Sequence, residues 1–434
     1  MPLNPRSGQL LILHLSDIHF RKTEVGTAQD PNFHLRNELV RDAVAQCQLL
    51  GSPDAIVVSG DIAFAGDPDE FTYATDWLAE LCDACGCAME SVFVVPGNHD
   101  VVRQSAGRNL VQLIHNQIKA SPDPGSEIAK QLRDPDARRL LYESLDNYNQ
   151  FALQFFCDLL PPERTRAMRD LTLNDGSTLR LWGLNTAFVS SAYDKQGDLF
   201  FDPASLQITR TNGVVNLVVA HHHLSWLRQA RDLEDHLNDV APVQIFGHVH
   251  TNRIDLNRDY VRLTASAMNP DRHEPGWEPG YNLIELSVDG GSDNRMLRVR
   301  SHVRVWQTAP GGFYAKMDRT SSVFDHSIRL LPWQPSVANS FPVALPEASL
   351  EPLAGAVVMP SEGGSAMNTL RDLGLRFYRL SFSKKSEIAG KLELLENEDM
   401  GQPDHERFRR VFLRAHERGK LNELAEAVSA AEQG

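Results

Sequence analysis

Apolar runs and helically spaced apolar residues alternate through the first hundred positions. Residues 9–16 (QLLILHLS) read as a buried strand that stops at Asp17, and residues 37–50 carry apolar side chains at helical spacing. Residues 55–59 (AIVVS) form a second strand pattern ending at Gly60-Asp61. A helical stretch follows over 70–85, then a third strand over 92–95 that breaks at Pro96-Gly97. This order predicts a layered α/β domain with helices laid over the sheet. Residues 103–170 are mostly helical and charge-rich, interrupted at 121–125 (SPDPG), and read as an insertion that caps or flanks a site. Strand patterns resume at 179–184, 214–220, 243–246 and 281–288, with further tracts near 259–266 and 295–306, so the α/β domain spans 1–331.

The pattern then changes twice. Residues 332–365 hold six prolines, no lysine or arginine and three acidic residues, which is the composition of an extended linker. Residues 366–434 show four short sets of apolar residues at helical spacing, with start and stop signals at Ser386-Glu387, Asp404 and Gly419. They predict a small all-α module.

A chain of 434 residues with 42% hydrophobic and 23% charged residues suits two or three globular domains. It opens with no secretory leader and contains no run of 18 apolar residues, so a cytoplasmic protein with no membrane association is expected. Cys47, Cys82, Cys85, Cys87 and Cys157 are an odd set, against a disulfide scaffold. No histidine or cysteine pair completes a zinc site around Cys82, Cys85 and Cys87, which read instead as a helix end. The net charge of -14 argues against a broad footprint on nucleic acid but not against a nucleotide held through metals.

Candidate chemistry sits at the strand ends. Asp17-Ile-His19 follows the first strand, Gly60-Asp61 the second and Gly97-Asn98-His99-Asp100 the third. Farther on, His221-His222-His223 follows VVNLVVA and Gly247-His248-Val249-His250 follows VQIF. Ligands of α/β proteins gather at the carboxyl ends of the strands, so these carboxylates, amide and imidazoles would converge on one sheet edge. A single histidine at a strand end is more often a surface residue; five such pieces in order are a set of metal ligands. Carboxylate and imidazole donors suit Mn, Fe or Zn, and their number suits two ions. Paired ions activate a water and clamp the oxygens of a phosphoryl group. In an extended segment residues i and i+2 point the same way, which would bring both members of D-x-H and of H-x-H to the metals.

The ordered set LSDIH (15–19), SGD (59–61), PGNHD (96–100), AHHH (220–223) and GHVH (247–250) resembles the calcineurin-like metallophosphoesterases over residues 8–300. The resemblance implies a four-layer α/β/β/α sandwich with a dinuclear centre. Asp17, His19 and His250 would hold one metal, Asp61 would bridge, and Asn98, His221 and His248 would hold the other. His99 would contact the phosphate and protonate the leaving oxygen, with Asp100 orienting it. Where many relatives read H-H-P-P this chain reads His221-His222-His223-Leu224-Ser225, which leaves His221 and His222 both open as the ligand. Asn185-Thr186 resembles a strand-end polar pair near the site of relatives. Arg21, Lys22 and Arg103 are candidates for substrate charge contacts, set against ordinary surface solvation.

The pairing of LSDIH with PGNHD looks most like the branch containing cyclic-nucleotide phosphodiesterases, which implies hydrolysis of a nucleotide-type phosphodiester. The ligand set alone is shared with phosphomonoesterases, nucleases and pyrophosphatases, and a non-catalytic metal-binding scaffold is the remaining alternative. The module over 366–434 faintly resembles bacterial effector-associated adaptor domains, which implies a protein partner and recruitment in signalling or defence. A tail packed on the catalytic domain is its other reading.

Overall fold

A computed structural model describes residues 8–265, 267–269, 277–335 and 364–433. The first third alternates β1 (Leu10–Leu15), α1 (Phe33–Leu50), β2 (Ala55–Val58), α2 (Pro68–Cys85) and β3 (Val92–Val94). α2 starts ahead of its apolar pattern because Asp67 and Glu70 close a capping box around its first turn and Pro68 presets the helical φ. The insertion holds α3 (Arg103–Ala106), α4 (Asn109–Ala120), α5 (Pro124–Arg133), α6 (Pro135–Tyr142) and α7 (Asp146–Ala152).

Helix does not continue to residue 170. Residues 166–172 are β4 (Arg166–Thr172), an edge strand antiparallel to β5 (Thr178–Leu184). Its alternating polar positions, RAMRDLT, carry no continuous apolar run, which is why it reads as charge-rich insertion. β6 (Val214–Ala220), α8 (Ala230–Val240), β7 (Val243–Phe246), β8 (Arg253–Leu256), β9 (Val261–Thr264), β10 (Gly280–Asp289), β11 (Met296–Thr308), β12 (Gly311–Ala315) and β13 (Phe324–Arg329) follow.

The strands form two sheets. One has seven strands in the order β12-β11-β10-β1-β2-β3, with β13 also on β11; the other has six, β4-β5-β6-β7-β9-β8. Alternate residues of the second sheet sort into two cores. Leu181, Leu217, Val219 and Ile245 join the cluster containing the first sheet, α1 and α2, whereas Leu184, Val218, Ala220 and Phe246 pack with Leu237 of α8. The layers are therefore α1 and α2, the two sheets, and α8, the α/β/β/α order that the family resemblance implies. β1, β2 and β3 run parallel, as do β5, β6, β7 and β9, so each sheet brings the carboxyl ends of its parallel strands to one edge. Among the described residues no helix is long and apolar enough to cross a membrane.

The C-terminal residues form α9 (Gly364–Arg379), α10 (Phe382–Lys391), α11 (Asp404–Glu417) and α12 (Leu421–Gln433). Ser381, not Ser386, caps α10, accepting from Lys384 N–H at 3.3 Å. Most of the expected linker, 336–363, lies outside the described residues; its first residues pack, with Trp333 against Gly213 and under Arg295.

The helical module is not free of the α/β part. Leu153 is buried among Leu373, Phe377, Phe408 and Phe412, and the Phe156 ring meets Tyr378 and Phe412 at 6.0 and 5.9 Å. A Cβ on Gly374 would come 2.7 Å from the Phe156 ring, so a larger residue there would separate the two surfaces. Beside this apolar seam the buried Asp158 carboxylate contacts Arg409 and lies 2.9 Å from Arg164, which reaches Glu406 at 2.6 Å. Removing one partner of such a buried set costs about 3–5 kcal/mol, because the others stay desolvated and unpaired. Asp158→Ala should therefore lower the unfolding free energy by about 3 kcal/mol in urea denaturation at pH 7. Burial alone would raise the Asp158 pKa, yet the Arg409 and Arg164 charges hold it below the ordinary carboxylate value. Its stabilisation is thus complete at neutral pH and fades as pH falls below about 4. The difference between wild type and variant should shrink toward pH 3, and a pH-independent difference would refute the ion-pair account.

Candidate metal centre

The five motif loops meet at the edge where β1, β2, β3, β6 and β7 end. Register brings them there: Leu15 pairs with Val58, Val58 with Val94, and Ala220 with Phe246, so each motif starts level with its neighbour. The loops are also tied directly, by Asp17 N–H to Gly60 O and His19 N–H to Asp61 O at 3.0 Å, and by Gly247 N–H to His221 O at 2.9 Å.

Asp17 and Asp61 are fully buried, and each divides its two oxygens between different tasks. Asp17 Oδ2 accepts from His248 N–H at 3.2 Å and from the Ser16 hydroxyl; Asp61 Oδ1 accepts from His99 N–H at 2.7 Å. The other oxygens face imidazoles. Asp61 Oδ2 is 3.2 Å from both His19 Nε2 and His221 Nε2, and Asp17 Oδ1 is 3.3 Å from His250 Nε2. The same His221 Nε2 lies 3.2 Å from Asn98 Oδ1 and 3.3 Å from His248 Nδ1. Donor atoms of Asp17, His19 and His250 all lie within 4.8 Å of one another, as do those of Asp17, Asp61 and His221 and those of His221, His222 and His248.

His222 is part of the cluster as well. Its Nε2 is 3.1 Å from Asn98 Oδ1 and its Nδ1 is 2.7 Å from Thr186 Oγ1. The Asn185-Thr186 pair thus has a definite place: Thr186 fixes the His222 ring from behind. His221 is fixed instead by its Nδ1–H, which donates to Ser59 O at 2.9 Å, leaving Nε2 toward Asp61 and Asn98.

Two expectations about the loops need correction. Asp100 does not orient His99: its oxygens accept from Ala63 N–H and Gly97 N–H at 2.8 Å, fastening the second and third loops together. The His99 ring is oriented by its Nδ1, 2.8 Å from Phe64 O. Nor do the i and i+2 side chains converge through extended backbone. Asp17, His19, Asp61, His248 and His250 have φ between 52° and 68°, and they are five of the eight non-glycine residues with positive φ among those described. Each costs on the order of 1–3 kcal/mol, and such residues persist at sites where function requires the geometry.

The electrostatics fit bound cations. Neither Asp17 nor Asp61 pairs with a lysine or arginine among the described residues, although both are held ionised against the burial that opposes charge, chiefly by neighbouring imidazoles. Burial pushes His248 down to about 3 and lowers His222, so both rings are neutral at neutral pH. Burial likewise lowers His99. His221 differs: burial would lower it, but the Asp61 charge and contact lift it to about 9. Burial and the Asp61 charge raise Asp100 to about 8. A dense buried acceptor set on strained backbone, with no lysine or arginine against its carboxylates among the described residues, is the donor chemistry of a metal site.

The chain belongs to the calcineurin-like phosphoesterase family, whose profile matches residues 10–252, and the family generally binds divalent metals. The profile of the GTPase-associated adaptor domain matches residues 369–430. The uncharacterised metallophosphoesterase-like protein YydB of Bacillus subtilis strain 168 is 24% identical over 298 residues, 64% of this chain and 57% of that protein. The glycerophosphodiester phosphodiesterase GpdQ of Enterobacter lignolyticus strain SCF1 is 35% identical over 92 residues, 21% of this chain and 30% of that protein. The chain thus spans less than two thirds of either relative. Among solved structures, GAP50 of the Plasmodium inner membrane complex aligns over 75% of this chain and 90% of its own at 12% identity, with a TM-score of 0.37.

Gly97 offers a test of how tightly this edge is built. A Cβ there would overlap Asp61 Oδ1 and sit 2.5 Å from Asp61 N. Gly97→Ala should displace Asp61 and weaken metal retention by at least about 10-fold, the lower end of what losing a supporting group costs at metal sites. Metal content after dialysis, measured by elemental analysis, checks this; full retention by the variant would contradict the packing described.

Proposed function

We propose that the chain is a dinuclear metal-dependent phosphodiesterase acting on a nucleotide-type phosphodiester. Asp17, His19 and His250 would hold one ion and Asn98, His221 and His248 the other, with Asp61 shared between the two groups; the donor set suits Mn, Fe or Zn. The observation that carries this reading is Asp61 Oδ2, equidistant at 3.2 Å from an imidazole of each group. Bound there, a pair of ions supplies Lewis-acid charge at the phosphoryl oxygens and a nucleophilic water near neutral pH.

The chain's own groups do the positioning. With Nδ1–H donated to the Phe64 carbonyl, Nε2 of neutral His99 carries no proton, so His99 takes one up at Nε2 before giving it to the leaving oxygen, and its burial-lowered pKa makes that proton readily given. Asp100 keeps the loop carrying Asn98 and His99 fastened to the loop carrying Asp61, which makes it a positioning residue. His222, held by Thr186, supports Asn98 at the same side-chain oxygen that His221 meets. The relative named as a glycerophosphodiester phosphodiesterase supports a diester over a monoester. The adaptor profile supports a protein partner for the helical module, bound through faces other than the one packed on Leu153 and Phe156.

Protein stripped with a chelator and given back Mn, Zn or Mg should hydrolyse bis-p-nitrophenyl phosphate faster than p-nitrophenyl phosphate, and only with metal. Asn98→Ala and His250→Ala should each lose at least about 100-fold in kcat/KM, since even supporting groups at metal sites cost 10–100-fold. Metal binding without turnover of either ester would favour a scaffold instead. Comparing His221→Ala with His222→Ala separates ligand from support: the first should release one of two metal equivalents, the second should retain both. The reverse result would exchange their roles.

A further inference from the structure

The three loops that carry Asp17, Asp61 and Asn98 each place one more side chain at the same spot beside His99. Arg21 follows His19 in the first loop, Phe64 follows Asp61 in the second, and Arg103 follows Asp100 in the third. The Arg21 guanidinium lies 3.7 Å from the centre of the Phe64 ring and that of Arg103 5.6 Å from it. The Phe64 ring in turn lies against His99, with centroids 5.0 Å apart and planes inclined by 32°.

This arrangement is unusual for arginines of an acidic chain. Arg108 and Arg139 in the neighbouring insertion each reach a carboxylate at 2.6 Å, and Lys22, next to Arg21, is tied to Asp67 and Asp69. Arg103 faces no carboxylate among the described residues. Its Nη2 is 3.0 Å from His99 Nδ1, but that nitrogen already faces the Phe64 carbonyl at 2.8 Å, and a carbonyl only accepts. Nδ1 therefore carries the proton, and Arg103 has a donor against a donor. Among the described residues Arg21 pairs only with Glu24, at 3.6 Å with both side chains partly exposed, a weak pair. The backbone beneath is held rigidly, because the buried Glu70 accepts from Lys22, Phe64 and Ala65 N–H at 3.2, 3.0 and 2.8 Å.

We propose that Arg21 and Arg103, aligned on Phe64, form a subsite for a second phosphate of the substrate, next to the phosphodiester that is cleaved. This rests on the phosphodiesterase reading and narrows it to diesters with a further phosphate on one arm. A guanidinium presents a planar fork of donors that matches phosphate oxygens, and the aromatic ring holds the fork in place before substrate arrives. With Arg21 stacked on it, Phe64 is a support for charge and not a platform for a base.

The test compares two esters with the same scissile bond: the p-nitrophenyl ester of thymidine 5′-phosphate, with and without a 3′-phosphate. Wild type should prefer the 3′-phosphorylated ester by about 10-fold in kcat/KM, mostly through KM, the scale of one charge-assisted contact. Arg21→Gln with Arg103→Gln should bring the ratio near one, and Arg103→Lys should retain part of it. A ratio near one in wild type, or a preference that survives in the double variant, overturns the subsite. If neither ester turns over, the phosphodiesterase reading fails, and the subsite is judged by calorimetry on metal-loaded protein. Thymidine 3′,5′-bisphosphate should then bind about 10-fold tighter than thymidine 5′-phosphate in wild type and equally in the double variant. Equal binding in wild type sinks the subsite on its own.

Discussion

Two buried carboxylates at adjacent strand ends, with no lysine or arginine against them among the described residues, set the terms for the rest of this structure. Desolvated Asp17 and Asp61 are unfavourable unless positive charge or donors surround them. The chain meets that demand with backbone N–H groups on one oxygen of each and imidazoles on the other. Holding the rings so close requires left-handed backbone at five donor residues, a strain tolerated because a continuous core over both sheets fixes the strands from which the loops spring. The glycines in the motifs follow from the same crowding. At Gly60, φ is 96° and a Cβ would lie 2.6 Å from His221 Nδ1, so any larger residue would push the ring off the cluster.

The same edge explains how a distant module is connected to the chemistry. Helix α7 and the turn after it carry Leu153, Phe156 and Asp158, on which the helical module packs. At its other end this segment holds the site loops: Ser144 O accepts from Val102 N–H at 2.9 Å, and Asn147 donates to Gly66 O at 2.8 Å. The insertion is therefore less a lid than a brace, standing between the loops of Asp61 and His99 on one side and α9 and α11 on the other.

Much of this was legible along the chain. β1, β2, β3, β6 and β7 are near-continuous apolar runs because parallel strands are covered on both faces, and their polar successors stand out for that reason. β4 and β8 were missed because an edge strand exposed on one face alternates polar and apolar residues and resembles a loop. Glu70 gave no sign of its role. It reads as an ordinary acidic residue in the first turn of a helix, and only the folded loops bring three N–H groups onto it.

What the sequence determined by itself is the identity of the strands, their order, and which residue types follow each one, since these depend on local periodicity and on neighbours along the chain. Tertiary structure alone decided how those residues meet. It put both His221 and His222 on Asn98 with different anchors, turned Asp100 away from His99, and seated the helical module on Phe156. The reason is physical: each of these contacts joins loops tens to hundreds of residues apart, and their relative positions are set by the register and packing of two sheets, which no local pattern records.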